Sequence, residues 1–127
     1  MLAGDVDLKT WYKPEVDKKI LKELSKRSDI KGIFDVSIFI LAILVSGYLC
    51  VTTWGTLWSI PSLLLYGNIF YCKVISIQHE TNHETYFKSR SLNRIFYNIT
   101  SLLGGFEVVR WKWSHYHHHT YTIFTHN

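Results

Sequence analysis

The chain has 127 residues, 47% of them hydrophobic, with two cysteines and a formal net charge of +4. Its 14 Lys and Arg residues flank a long uncharged block and form no basic stripe with interleaved aromatic residues. This distribution argues against a nucleic-acid-binding protein and favours contact with anionic lipid headgroups. The N-terminus carries Asp5, Asp7 and Lys9 where a secretory signal peptide requires an apolar run.

The first predicted element is a short amphipathic helix in a cytoplasmic N-terminal segment, residues 1–32. Pro14 suits a first helical position. Apolar residues then recur at helical spacing, with lysines on the other side, at Val16, Ile20, Leu21 and Leu24. We expect this helix to lie on a membrane surface or to cover the domain that follows, residues 33–127, without chemistry of its own.

Two membrane-spanning helices are predicted next. The 37 residues from Val36 to Cys72 contain no Asp, Glu, Lys, Arg or His, and one crossing needs roughly 20 apolar residues. Two crossings fit at about residues 33–52 and 56–78, joined by a tight turn, and a soluble chain this short could not cover both helices. Eight Lys or Arg residues precede the pair, none lie in the turn and six follow it. The positive-inside rule therefore places both termini in the cytoplasm.

Two histidine clusters follow the second crossing and carry the predicted chemistry. His79 and His83 are four residues apart, and the second cluster contains His115, His118 and His119. Residues at i, i+3 and i+4 share one helix face, so each cluster presents its imidazoles together. Zinc usually takes four ligands in all, and five imidazoles therefore suggest a centre with more than one metal ion. Because imidazole suits iron, the pattern favours an oxygen-activating iron centre that acts on lipid at the membrane surface.

An amphipathic helix is predicted between the two clusters, lying in the membrane interface. Its apolar residues recur at helical intervals, opposite Asn93 and nearby polar residues. A glycine pair at 104–105 breaks this helix, and another helix is predicted over residues 108–119. The break would let the chain fold back and bring the second cluster toward the first.

A membrane zinc metallopeptidase is the main alternative. His79-Glu80-Thr-Asn-His83 has the form H-E-x-x-H, in which Glu80 would be the general base. This interpretation leaves the second cluster unexplained. A haem protein needs axial ligands within the bilayer, and the predicted crossings contain no histidine. Surface histidines without a metal would not be expected to form two clusters with matching one-face spacing.

The chain resembles the N-terminal part of membrane fatty acid desaturases. That family has cytoplasmic histidine boxes of the form H-x(3,4)-H and H-x-x-H-H, followed by a third H-x-x-H-H or Q-x-x-H-H. Residues 79–83 and 115–119 match the first two boxes. Between them, Phe87 and Leu92-Asn93 are similar to the family's H-x-x-F-x-x-x-x-L-N continuation. The similarity extends over about residues 33–127.

This resemblance implies an all-α fold, in which an integral membrane helical hairpin is joined to cytoplasmic amphipathic helices that carry the boxes. The membrane would be that of the endoplasmic reticulum or the bacterial inner membrane. The implied activity is that of a non-haem di-iron oxidoreductase, which introduces a double bond or a hydroxyl group into a fatty acyl or lipid chain. It would use O₂ and two electrons from an external donor of the cytochrome b5 or ferredoxin type. The implied iron ligands are His79, His83, His115, His118 and His119.

Other polar residues are expected beside the ligands rather than on the metal. Glu80 would orient an imidazole N–H. His117 points to the opposite helix face from His115 and would be a neighbour of the ligands or solvated, while His126 is a weaker ligand candidate. The third box is absent from the sequence. We therefore expect an incomplete domain that holds part of the metal shell and is inactive alone.

Overall fold

The computed structural model describes residues 15–121, and over that range it contains five helices and no strand. The helices are α1 (Lys18–Leu24), α2 (Asp29–Thr52), α3 (Ser59–Asn82), α4 (Arg90–Gly104) and α5 (Val108–Tyr121). The predicted all-α fold class is confirmed. Pro14 and His126 lie outside the described residues.

The short helix α1 begins beside Asp17, whose side chain accepts a hydrogen bond from the Lys19 N–H at 2.7 Å. None of its residues is buried. Leu21 is 53% exposed and Leu24 is 80% exposed. The apolar side chains of α1 remain exposed, so this helix does not cover the helices that follow. Of the two positions expected for it, the membrane surface is the one that fits this exposure.

The helices α2 and α3 form a hairpin of two apolar helices of 24 residues each. By length and composition, each is able to cross a membrane. Only 11% of the most apolar window of α2, and 17% of that of α3, is buried within the protein. The core helix of a soluble domain would be mostly covered, so this open apolar surface fits a membrane-associated protein.

The ends of these helices differ from the predicted crossings. The helix α2 begins at Asp29, earlier than predicted, because the Ser28 side chain caps it by accepting a hydrogen bond from the Lys31 N–H at 3.4 Å. The helix α3 continues four residues beyond the predicted end, to Asn82. The first histidine cluster therefore belongs to the last turn of α3 rather than to a separate helix.

The connection between α2 and α3 is longer than the predicted turn. The Thr56 hydroxyl donates to the Thr53 carbonyl at 2.7 Å and accepts from the Trp58 N–H at 3.2 Å. Such local side-chain bonds compete with helix formation, so α3 starts at Ser59 instead of at residue 56. Gly55 takes the left-handed conformation of this turn, with φ of 80°.

A small core closes the end of the hairpin opposite this turn. Phe87 is fully buried and packs with Val36 of α2 and Ile77 of α3. The ring approaches the backbone of α2 at Gly32, where an added Cβ would lie 2.5 Å from a Phe87 ring carbon. Glycine at this position therefore allows the loop after α3 to contact α2 directly.

An ion pair joins the same end of the two helices. The Lys73 Nζ of α3 lies 2.6 Å from an Asp35 carboxylate oxygen of α2, and the Tyr86 hydroxyl donates a hydrogen bond to the same carboxylate. Asp35 and Lys73 are the charges that bound the uncharged block of the sequence. In an apolar setting, charged groups need such partners, and this pair fixes the register of α2 against α3.

The helix α4 packs against α3 with the side that carries Asn93, which lies opposite exposed apolar residues, as predicted. Its buried residues are Asn93, Tyr97, Thr100 and Ser101. The Asn93 amide accepts from the Phe87 N–H at 3.1 Å and donates to the Phe87 carbonyl at 2.9 Å, so burial leaves its polar atoms bonded. The apolar side faces outward, with Leu102 81% exposed. An outward apolar face fits a helix in a membrane interface.

We predict that Gly32→Ala lowers the free energy of unfolding by about 1–3 kcal/mol, because the fully buried Phe87 ring has no room to withdraw from the new methyl group. Gly67→Ala is the matched control, since nothing lies within 4 Å of its added Cβ and alanine favours a helix. Thermal unfolding of the purified protein, followed by circular dichroism, measures both variants. Equal loss of stability in the two would contradict the close packing at Gly32.

Candidate metal centre

The first histidine cluster lies where α3 ends. His79 is in the last turn of α3, and His83 is its C-cap residue. The chain then turns at Glu84, whose φ is 57°. The Thr85 N–H bonds the Glu80 carbonyl at 3.0 Å and the Glu84 N–H bonds the Thr81 carbonyl at 3.1 Å. These two bonds form a Schellman motif, which stops the helix directly after the cluster.

Glu84 occupies a left-handed position that usually belongs to glycine, at a cost of about 1–2 kcal/mol for a residue with a side chain. Two cations contact it. Arg27, from the segment before α2, donates to the Glu84 carbonyl at 2.6 Å, and the Arg90 Nε lies 3.5 Å from the Glu84 carboxylate. The turn after the first cluster is therefore held from both sides.

Glu80 lies beside the first cluster and is anchored by the same turn. The Thr85 hydroxyl bonds both the Glu80 carbonyl, at 2.9 Å, and one Glu80 carboxylate oxygen, at 2.5 Å. The other carboxylate oxygen lies 3.8 Å from His79 Nδ1. This position is compatible with a residue that orients the His79 imidazole, and that role stays a prediction.

The second cluster is carried by α5, which follows a sharp reversal after α4. Gly105 ends α4 with φ of 72°, and the Phe106 N–H bonds back to the Ser101 carbonyl at 2.8 Å. The Tyr97 hydroxyl then donates to the Val108 carbonyl at 2.7 Å, which ties the start of α5 to α4. The predicted break at residues 104–105 and the predicted helix after it are both present.

This reversal brings four imidazoles together from α3 and α5. The ring nitrogens of His79, His83, His115 and His119 all lie within 4.8 Å of one another. The Nε2 atoms of His83 and His115 are 2.9 Å apart, and those of His115 and His119 are 3.0 Å apart. His115 is the central member, since its Nε2 atom takes part in both of these short contacts.

Protonation of two members of the cluster, His83 and His115, is disfavoured. Burial, followed by the nearby His79 and His119 imidazoles, lowers the pKa of His115 to about 4. Burial is also the main cause that lowers the pKa of His83, again with contributions from His79 and His119. A neutral imidazole presents a nitrogen lone pair, which is the form that binds a metal ion. Four convergent imidazoles therefore fit a metal that prefers nitrogen ligands.

The other predicted site residues lie outside this group of four. The His118 ring lies 5.8 Å from that of His119 and 6.3 Å from that of His115. His117 is exposed and stacks on Tyr121 at 5.6 Å. The structure thus brings together four of the five predicted ligands. Metal binding by each of the five stays a prediction.

Two residues at the site were missed by the sequence interpretation. Trp111 stacks on the His115 ring with a centroid distance of 4.5 Å and an interplanar angle of 13°. The sequence signal for this contact was the spacing of four residues between Trp111 and His115, which places the two rings on the same helix face. Asn93, predicted only as a polar-side residue that resembles the family pattern, binds the backbone of Phe87 and so shapes the loop between the clusters.

Comparison with known protein families matches residues 52–127 to the model described as fatty acid desaturase. The match covers more than half of the chain. It includes both histidine clusters, α3, α4 and α5, and it begins at the last residue of α2. No curated protein and no solved structure matches the chain.

We predict that Glu84→Gly unfolds with a free energy about 1 kcal/mol higher than that of Glu84→Ala. Both variants remove the carboxylate near Arg90, so their difference isolates the left-handed backbone at residue 84. Chemical denaturation of the two purified variants, followed by circular dichroism, gives this difference. If the alanine variant were equally stable, the left-handed turn after the first cluster would be contradicted.

Proposed function

The chain belongs to the fatty acid desaturase family, and from this membership we propose that it forms the metal-binding part of a membrane-bound non-haem di-iron oxidoreductase that acts on acyl chains. The family indicates oxidoreductase activity and a lipid substrate in general terms. The observation that carries the finer proposal is the convergence of four imidazoles, two from the end of α3 and two from α5.

The donor set fits iron. The group of four offers only imidazole nitrogen atoms, and imidazole is a good ligand for iron. We propose His118, on the same helix as His115 and His119, as the fifth ligand, placed to serve a second ion. Bound iron would supply the reaction of O₂ with an unactivated C–H bond. In desaturation, O₂ accepts two hydrogens from the acyl chain with two donor electrons and two protons, giving two waters and a double bond.

The fold would deliver an acyl chain from the bilayer to this centre. The hairpin α2–α3 has open apolar surface along its length, and α4 turns its apolar side outward beside the end of α3. We propose that α2 and α3 cross the membrane, that the histidines lie at its cytoplasmic surface, and that residues 33–127 form one domain. An acyl chain could then reach the histidines without leaving an apolar environment.

The number of ligands bears on activity. The first two boxes are present, and no further H-x-x-H-H occurs among the 127 residues. We therefore propose that this chain holds part of the ligand shell and gives no turnover unless the remaining ligands come from another polypeptide segment. We also propose an external electron carrier, because the reaction uses two electrons beyond those of the acyl chain.

A membrane zinc metallopeptidase is the second candidate. It is favoured by Glu80 between His79 and His83, and by imidazole nitrogens sufficient for the three protein ligands of a catalytic zinc ion, which keeps its fourth position for water. Its general base would have to be Glu80, yet one Glu80 oxygen is bonded to the Thr85 hydroxyl. This bond suits a residue that fixes the end of α3 better than one that activates a water molecule.

The metal content of the purified chain separates the two candidates. We predict that the chain, expressed in membranes with both iron and zinc supplied, retains iron, and that His115→Ala removes most of it. His115 is the central member of the group of four. His117→Ala is the control, because His117 is on the same helix but stacks on Tyr121. Elemental analysis measures each protein.

The outcomes of this experiment are distinct. Zinc in place of iron, lost with His79→Ala but retained when His118 and His119 are both replaced, would support the peptidase. Equal metal retention in His115→Ala and His117→Ala would contradict the metal centre itself.

The proposed orientation predicts a labelling pattern for single cysteines. With Cys50 and Cys72 replaced by alanine, Leu57→Cys in the hairpin turn should react with a membrane-impermeant maleimide on intact cells. Leu57 is 89% exposed. Lys112→Cys on α5 should react only after the membrane is permeabilised. Labelling of both sites on intact cells would contradict the hairpin, and the reverse pattern would contradict cytoplasmic histidines.

A further inference from the structure

We propose that Trp111 is a positioning residue for the metal centre, whose indole ring holds the plane of the His115 imidazole. In that plane, His115 Nε2 faces the Nε2 atoms of His83 and His119. The inference rests on the proposed metal-binding function. It adds a residue that belongs to neither histidine box.

The contact between Trp111 and His115 differs in kind from the contacts of His115 with His79, His83 and His119. The indole lies nearly parallel to the imidazole, at 4.5 Å and 13°. His79, His83 and His119 instead meet His115 edge-on, at interplanar angles of 79°, 60° and 81°. The last torsion of a histidine side chain is broad and roughly two-fold. An indole ring stacked on one face of the His115 imidazole therefore restricts rotation about this torsion more than edge contacts do.

Trp111 is itself fixed by residues of α4 and the turn. Its ring lies 5.9 Å from that of Phe106 and 6.4 Å from that of Tyr97. Tyr97 is only 6% exposed, and its hydroxyl is bonded to the Val108 carbonyl. The indole is thus held between the α4–α5 reversal on one side and His115 on the other.

This arrangement links the fold to the central ligand. The reversal at Gly105 sets the direction of α5, while Trp111, one helical turn before His115, transmits that placement to the imidazole ring. Groups that orient ligating histidines typically change metal affinity by 10–100-fold when they are replaced. We expect an effect of this size at Trp111, although it offers no ligand atom.

Trp113 provides a matched comparison on the same helix. It is 60% exposed and packs edge-on to Tyr116, with a centroid distance of 6.3 Å. Its replacement removes an indole of the same size from α5 without removing the parallel contact to His115. A difference between the two tryptophans therefore reports the stacking and not the loss of an aromatic residue from α5.

The test is titration of the purified full chain with Co²⁺ alone, which gives a dissociation constant and a visible ligand-field spectrum. We expect Trp111→Leu to weaken Co²⁺ binding at least about 10-fold and to alter the spectrum. Trp111→Phe, which keeps a ring against His115, should retain most of the affinity and a spectrum close to that of the unchanged chain. Trp113→Leu should match the unchanged chain in both respects.

Circular dichroism checks that each variant is folded, and Trp111→Met replaces the leucine variant if that one loses helix content. Normal affinity and spectrum in the folded leucine or methionine variant would overturn the positioning role, with the proposed function still intact. Equal weakening in Trp111→Phe would also overturn it, because the stack would then not be what matters. Absence of Co²⁺ binding by the unchanged chain would instead refute the proposed metal function.

Discussion

The packing of α4 against α3 is the contact on which the rest of the molecule depends. It combines buried polar residues of α4 with the packing of Leu92 and Phe96 against the core around Phe87, and the Asn93 amide bonds both backbone groups of Phe87 in the connecting loop. These bonds close the loop that follows the first histidine cluster and send α4 back along α3. Because the chain then reverses direction again at Gly105, α5 places His115 and His119 beside His79 and His83. Loss of the α3–α4 contact would separate the two clusters.

The same contact leaves apolar residues of α4 exposed and buries polar ones beside the small apolar core around Phe87. In water, α4 would bury Leu102 and its neighbours, whereas here these residues are exposed and Thr100 and Ser101 are buried. A lipid environment removes the penalty for apolar exposure and raises the cost of an unpaired polar group. The ion pair between Asp35 and Lys73 follows the same logic, since each charge near the end of an apolar helix has a partner.

The sequence predicted the elements well and the contacts poorly. Periodicity and glycine placement located α4, α5 and the break at residues 104–105, because these signals are local. The spacing of His79 and His83, and of His115 and His119, predicted shared faces that the structure does bring together. Periodicity correctly placed Asn93 opposite the apolar residues, but it did not predict that this side packs against α3, because it separates apolar from polar residues without saying which side meets protein. Trp111 was missed because its stacking depends on how α5 sits against α4. The end of α3 was not predicted, because Glu84 occupies the left-handed position of the Schellman motif. A glycine there would have indicated the end of the helix in the sequence.

The central claim is that imidazoles from α3 and α5 surround the same metal. X-ray absorption at the iron K edge tests it most directly, because imidazole ligands produce outer-shell scattering that allows them to be counted. We predict several imidazoles per iron in the unchanged chain. Fewer are expected when His79 and His83 are both replaced by alanine, with the second cluster left intact. An imidazole count that did not change after that replacement would show that α5 holds the metal alone, and would contradict a centre shared by the two helices.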